Sequence, residues 1–261
     1  MVTNKFSHIL IIQLYILHIF FFICILNLYN IERSFDMEEN EVQNMSTENK
    51  LFGKTFFWMF LGLLGSALIA GYTYSSGLFY TILLEDSFTG LLIIELIAVL
   101  LFSFLFRKLP PIVVGILYFV YAALNGVTLS VIFAVFELNS IITLFIASAL
   151  IFGVLSLIGY KTNKDLSSWH TYLNVFLIIG LILSLVNLFF FDSSLLDLIL
   201  DWFILAVFFG VTIYDINKIK ALQLEPNIDQ EKIYIYCAMQ LYLDFINIFL
   251  RILSIFGKRR N

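Results

Sequence analysis

Residues 109–136 carry no charged side chain, and an apolar run of that length has few possible fates. About 20 such residues cross the hydrocarbon core of a bilayer as an α-helix, which satisfies its own backbone hydrogen bonds. Further charge-free runs occupy residues 9–29, 55–84, 138–160 and 166–191. Three more apolar segments contain ionisable residues: 88–106 with Glu95, 198–218 with Asp201 and Asp215, and 233–256 with Asp244 and Arg251. With 61% hydrophobic and 13% charged residues, the chain lacks the polar surface of a soluble domain, which is about one-quarter charged. The fold class expected is therefore an all-α polytopic membrane protein with a seven-helix core and one extra apolar segment in front.

The division expected along the chain is an extra apolar segment at 1–36, a polar tail at 37–54, the seven-helix domain at 55–257 and a basic tail at 258–261. The first segment can be read as an additional helix, a signal peptide or an extension ahead of the true start. A signal peptide has a shorter apolar region and a small-residue cleavage site, neither of which follows Leu28. A start at Met37, which opens the acidic stretch after this segment, is the reading favoured. Cys24 and Cys237 both sit in apolar runs and read as buried fillers.

Lys and Arg mark alternate loops: Lys50 and Lys54, then Arg107 and Lys108, Lys161 and Lys164, and Lys218, Lys220 and Lys232. The intervening loops have none, so the tail before the first core span is expected in the cytoplasm. The exception is the C-terminal Lys258, Arg259 and Arg260, which seven crossings would place outside. Either the bundle pulls the last helix across or that helix does not cross fully. The Ile, Phe, Leu and Asn bias points to an AT-rich, bacterial genome and thus to a plasma membrane.

The last span carries Gln240, Asp244, Asn247 and Arg251, spaced four, three and four, on one helical face. Insertion scales put a central Asp or Arg at roughly 2.5–3.5 kcal/mol each, so the stripe must face the bundle interior or a wet cavity. An internal Asp244–Arg251 pair is the bland explanation; an ion or proton site is the functional one. Asp215, with Thr212 and Lys218 three residues either side, supplies a second acid that reads alone as an interfacial partner of Lys218. Depth argues against its meeting Asp244, which lies about 16 Å beyond Ile233 along a straight helix. The two meet if the sixth core helix continues into the cytoplasm or the seventh enters at a tilt. Glu95 is a third intramembrane acid, and Arg107 could snorkel or serve as a counter-ion.

No HExxH, GxSxG, P-loop or dinucleotide fingerprint occurs, so no enzyme and no cofactor is expected. Asp215 and Asp244 match an aspartyl intramembrane protease in number alone, since no Gly or Pro surrounds Asp244. A net charge of −4 gives no reason to expect nucleic acid as a partner.

The chain resembles the Bax inhibitor family, also known as transmembrane Bax inhibitor motif or lifeguard proteins. The resemblance is carried by YLDFINIF at 242–249, YDINKIK at 214–220, GYKTNKDLS at 159–167 and NGVTLS at 125–130, and it spans residues 51–257. It implies a last helix enclosed by the other six and a pH-sensitive calcium leak. On this resemblance Asp215 and Asp244 correspond to the paired acids that sense protons and calcium. Arg107, or the adjacent Lys108, corresponds to the gating counter-ion, and Glu95 to an acid of the second span. Gln240, Asn247 and Arg251 would complete a polar pore, with the lipid bilayer, calcium ions and protons as partners. The rivals are a regulatory protein that binds a membrane protease or a cell-death partner without moving ions, and a proton-coupled transporter.

Overall fold

The computed structural model describes residues 45–84, 87–106, 108–164, 166–222 and 229–260. The apolar segment at 9–29, the Met37 start and Arg107 lie outside the described residues. Six helices are long and apolar enough to cross a membrane: Lys50–Ser75, Pro111–Val135, Leu138–Lys161, Ser168–Phe191, Ser194–Ile219 and Gln230–Phe256. Ile93–Leu105 is a shorter apolar helix. The chain is a multi-pass, all-α integral membrane protein.

The elements are α1 (Met45–Ser75), α2 (Leu78–Leu84), α3 (Ser87–Leu105), α4 (Pro111–Leu129), α5 (Val131–Val135), α6 (Leu138–Lys161), α7 (Ser167–Val186), α8 (Ser194–Leu222) and α9 (Gln230–Phe256). The charge-free run at 55–84 breaks between α1 and α2 at Gly77, whose φ of 77° only glycine adopts freely. Pro110 and Pro111 open α4, where the missing N–H groups cost nothing. A π-helical turn, Asn187–Phe191, ends the fifth core span; Asp192 follows in the left-handed region, and Asn187 binds Ser193 and Asp197 across the turn.

Every residue of α9 from Ile233 to Leu253 is buried. The helix packs against α1, α4, α6 and α8, while α7 packs on α8 and α3 on α4. The enclosed last helix implied by the resemblance is thus the observed arrangement. Close packing comes from two points where helix backbones nearly touch. A Cβ on Gly126 would lie 2.7 Å from the Ser66 carbonyl of α1, and one on Gly159 would lie 2.6 Å from the Ile213 carbonyl of α8. Large apolar side chains face outward instead, including Phe57, Phe60, Leu68, Ile112, Leu150 and Phe189. Such an apolar belt is covered by lipid rather than water.

α9 runs from the Lys54 end of α1 to the Tyr74 end. At its start, Lys54 of α1 lies over the Tyr234 ring, 4.8 Å from its centroid. At its end the tail folds against residues 133–140, at the other end of α1. Arg260 N–H donates to the Val135 carbonyl at 2.8 Å, and its guanidinium donates to the Tyr74 hydroxyl at 2.5 Å. Lys258 pairs with Glu137 at 2.8 Å.

Candidate functional site

Burial of the whole of α9 gives each of its polar side chains a helix to face, not only the stripe at 240–251. Asp244 is fully buried and faces α8, where Asp215 is the charged group acting on it. Neither oxygen of Asp244 meets a hydrogen-bond donor among the described residues. The obstacle of depth disappears because α8 runs on to Leu222, placing Asp215 about 10 Å inside the helix end. Lys218, buried itself, donates to the Tyr214 hydroxyl at 3.3 Å. Cys237, two turns before Asp244, lies within the fields of both Asp215 and Lys218. Ionised carboxylates are acceptors only, so two of them side by side require a proton or a cation between them.

Among the described residues no group of three or more His, Cys, Asp or Glu stands together. Calcium takes 6–8 oxygen ligands, so two carboxylates supply only part of a coordination shell. A partial shell suits an ion that stops briefly, because conduction requires binding weak enough to release.

Arg251 does not pair with Asp244. It forms a buried ion pair with Asp201 of α8, and Ser254 donates to the other Asp201 oxygen at 2.5 Å. Gln240 and Asn247 are buried on the same helix; the Asn247 amide donates to the Leu243 carbonyl one turn back, at 2.9 Å. Glu95 enters from α3 and accepts from the Asn125 amide of α4. Asn125 in turn accepts from the Tyr242 hydroxyl at 2.9 Å, and Tyr242 meets Ser66 of α1 at 2.7 Å.

The structure therefore brings Asp215 and Asp244 together and holds Glu95 and Arg251 in separate clusters. Sequence reasoning assigned no role to Asp201, Ser254, Asn125 or Tyr242, and read Ser66 only as part of a small-residue face, with Gly62 and Ala70, for close helix contact. Asp201 was visible as an intramembrane acid, and an acid near one end of a span is a natural partner for an Arg near the same end of the next. Asn125 and Tyr242 stand inside two of the sequence motifs already singled out, NGVTLS and YLDFINIF.

Residues 48–261 match the family described as "Inhibitor of apoptosis-promoting Bax1". The inner membrane protein YbhL of Escherichia coli K12 is 36% identical over 232 residues, covering 87% of this chain and 99% of that protein. An uncharacterized protein of Borreliella burgdorferi is 35% identical over 227 residues, covering 85% of this chain and 97% of its own length. One from Rickettsia prowazekii is 33% identical over 211 residues, covering 80% and 89% respectively.

Proposed function

This chain belongs to the Bax inhibitor family, and from that membership we propose that it is a pH-sensitive calcium leak governed by the Asp215–Asp244 pair. The observation that carries the reading is the juxtaposition of two acids in the sealed centre of an apolar bundle, one of them without a donor. A buried charge cluster of that kind is costly, and intramembrane acids mark ion or proton pathways by default. Protons and calcium compete for the same oxygens. With a proton shared between them the acids hold α8 and α9 closed; without it they repel each other and attract a cation. Arg107 is the counter-ion in this scheme, with Glu95, Gln240, Asn247 and Arg251 as accessory polar groups. The lysine-rich end of the bundle, with Lys54 and Lys232, faces the cytoplasm of a bacterial cell.

One observation favours a second reading. The centre is closed along the whole of α9, as it would be in a scaffold that binds a membrane protease or stress partner and moves no ions. Purified protein in calcium-loaded vesicles separates the two. The leak reading expects calcium release above that of protein-free vesicles, without saturation or counterflow. Release equal to the protein-free control supports the scaffold; saturable exchange indicates a transporter.

A further inference from the structure

Tyr242 and Asp244 stand two residues apart on α9, so their side chains leave the helix about 200° apart at nearly the same depth. Asp244 faces α8, and Tyr242 faces α1 and α4 on the opposite side. There a chain of hydrogen bonds links four helices. Glu95 of α3 accepts from Asn125 Nδ2, Asn125 Oδ1 accepts from Tyr242, and Tyr242 meets Ser66 Oγ. Ser66 also lies 2.7 Å from the Ala122 carbonyl and 3.0 Å from that of Gly62. Glu95 is 2% exposed, and its second oxygen, Oε2, makes no hydrogen bond among the described residues. The groups acting on its carboxyl are Asn125, Thr128 and Tyr121 of α4. Tyr242 of α9 feels Glu95, Tyr118 and Ser66.

Proton counting along this chain gives two self-consistent states. With an ionised Glu95, the Asn125 amide must point its NH₂ at the carboxylate and its carbonyl at Tyr242, and Tyr242 must donate to Asn125. Ser66 then has one proton and three acceptors within reach: the Tyr242 oxygen and two backbone carbonyls. With a protonated Glu95, the carboxyl O–H can donate to Asn125 Oδ1 once the amide turns over. The Asn125 NH₂ then donates to the Tyr242 oxygen, Tyr242 donates to Ser66, and Ser66 donates to the Ala122 or Gly62 carbonyl. In both states each of these groups has an acceptor for its proton, and what differs is whether Tyr242 donates to Asn125 or to Ser66. We propose that Glu95 is a second proton-binding site, on the far side of the central helix from Asp244. Turnover of the Asn125 amide passes its protonation state to the Tyr242 hydroxyl of that helix. The proton comes from solvent and returns to it, and no bond between heavy atoms changes. The inference holds whether or not the chain passes calcium.

Infrared difference spectroscopy of the reconstituted full chain, taken between acid and alkaline pH, tests it. With carboxyl-¹³C glutamate incorporated, the isotope shift separates glutamate C=O bands from those of the aspartate pair, and the component lost in Glu95→Gln assigns Glu95 among the ten glutamates. A tyrosine C–O band is expected to change with it. Glu95→Gln should remove the Glu95 component and the tyrosine band, and Tyr242→Phe should remove the tyrosine band while leaving the Glu95 component. If Glu95→Gln fails to fold, Glu95→Asp in glutamate-labelled protein decides, because it takes residue 95 out of the isotope-shifted set. An isotope-shifted spectrum unchanged by Glu95→Gln and by Glu95→Asp overturns the site. A tyrosine band that persists in Tyr242→Phe, or one that persists after Glu95→Gln, overturns the coupling.

Discussion

At the scale of single residues, the acids divide by what they face. Asp201 and Arg251 neutralise one another, with Ser254 completing the hydrogen bonding. Breaking a buried pair by removing one partner costs about 3–5 kcal/mol, whereas replacing both with apolar groups is often neutral. Asp201→Leu is therefore expected to lower the unfolding midpoint in detergent sharply, and Asp201→Leu with Arg251→Met to restore most of it. A double variant no more stable than the single one would show that the pair does not act as a unit. Asp244 has no such cation beside it; the charged group it faces is Asp215. The spacing of Gln240, Asp244, Asn247 and Arg251 was readable as a stripe, but its partners were not. Spacing fixes which face a side chain takes on its own helix. Pairing depends on which helix lies opposite, and that is decided by packing between segments far apart in sequence.

At the scale of elements, the apolar runs located every core helix, because the bilayer imposes both length and hydropathy on each one. Breaks inside those runs were harder to read. The turn at Gly77 is marked by the preceding Ser75 and Ser76, whereas nothing within the apolar sequence of Asn187–Phe191 marks its π-helical form ahead of Asp192. Helix contact is set by glycines whose role is equally silent in a single sequence. Gly126→Ala places a methyl group against the Ser66 backbone, and Gly159→Ala places one against the Ile213 backbone. Neither backbone can swing aside as a side chain can. Each variant is expected to lose about 1–3 kcal/mol, the usual cost of overpacking. Gly153→Ala meets nothing within 4 Å and serves as the control, expected to be neutral or slightly stabilising. Thermal unfolding of the three variants checks the order; equal midpoints would mean that α1–α4 and α6–α8 do not pack through these glycines.

At the scale of the whole molecule, a sealed central helix is held at both ends. Its start lies beside Lys54 and its basic tail is tied to Glu137, Val135 and Tyr74. The loop charges speak against a crossing by this helix, but they register insertion preference and not the contacts a finished bundle makes. Lys54→Cys and Lys258→Cys, labelled in sealed vesicles by a membrane-impermeant thiol reagent, are expected to react from opposite sides. Reaction of both from one side would mean that α9 does not cross.

The central claim is that the Asp215–Asp244 pair sets the pH dependence of ion passage. Calcium flux across proteoliposomes, measured over a pH series at two calcium concentrations, tests it most directly. Because calcium binds the deprotonated pair, raising calcium should move the wild-type pH midpoint toward acid. Asp215→Asn and Asp244→Asn should each flatten the pH profile and abolish that movement. A variant that keeps both the wild-type pH profile and its shift with calcium would contradict the account.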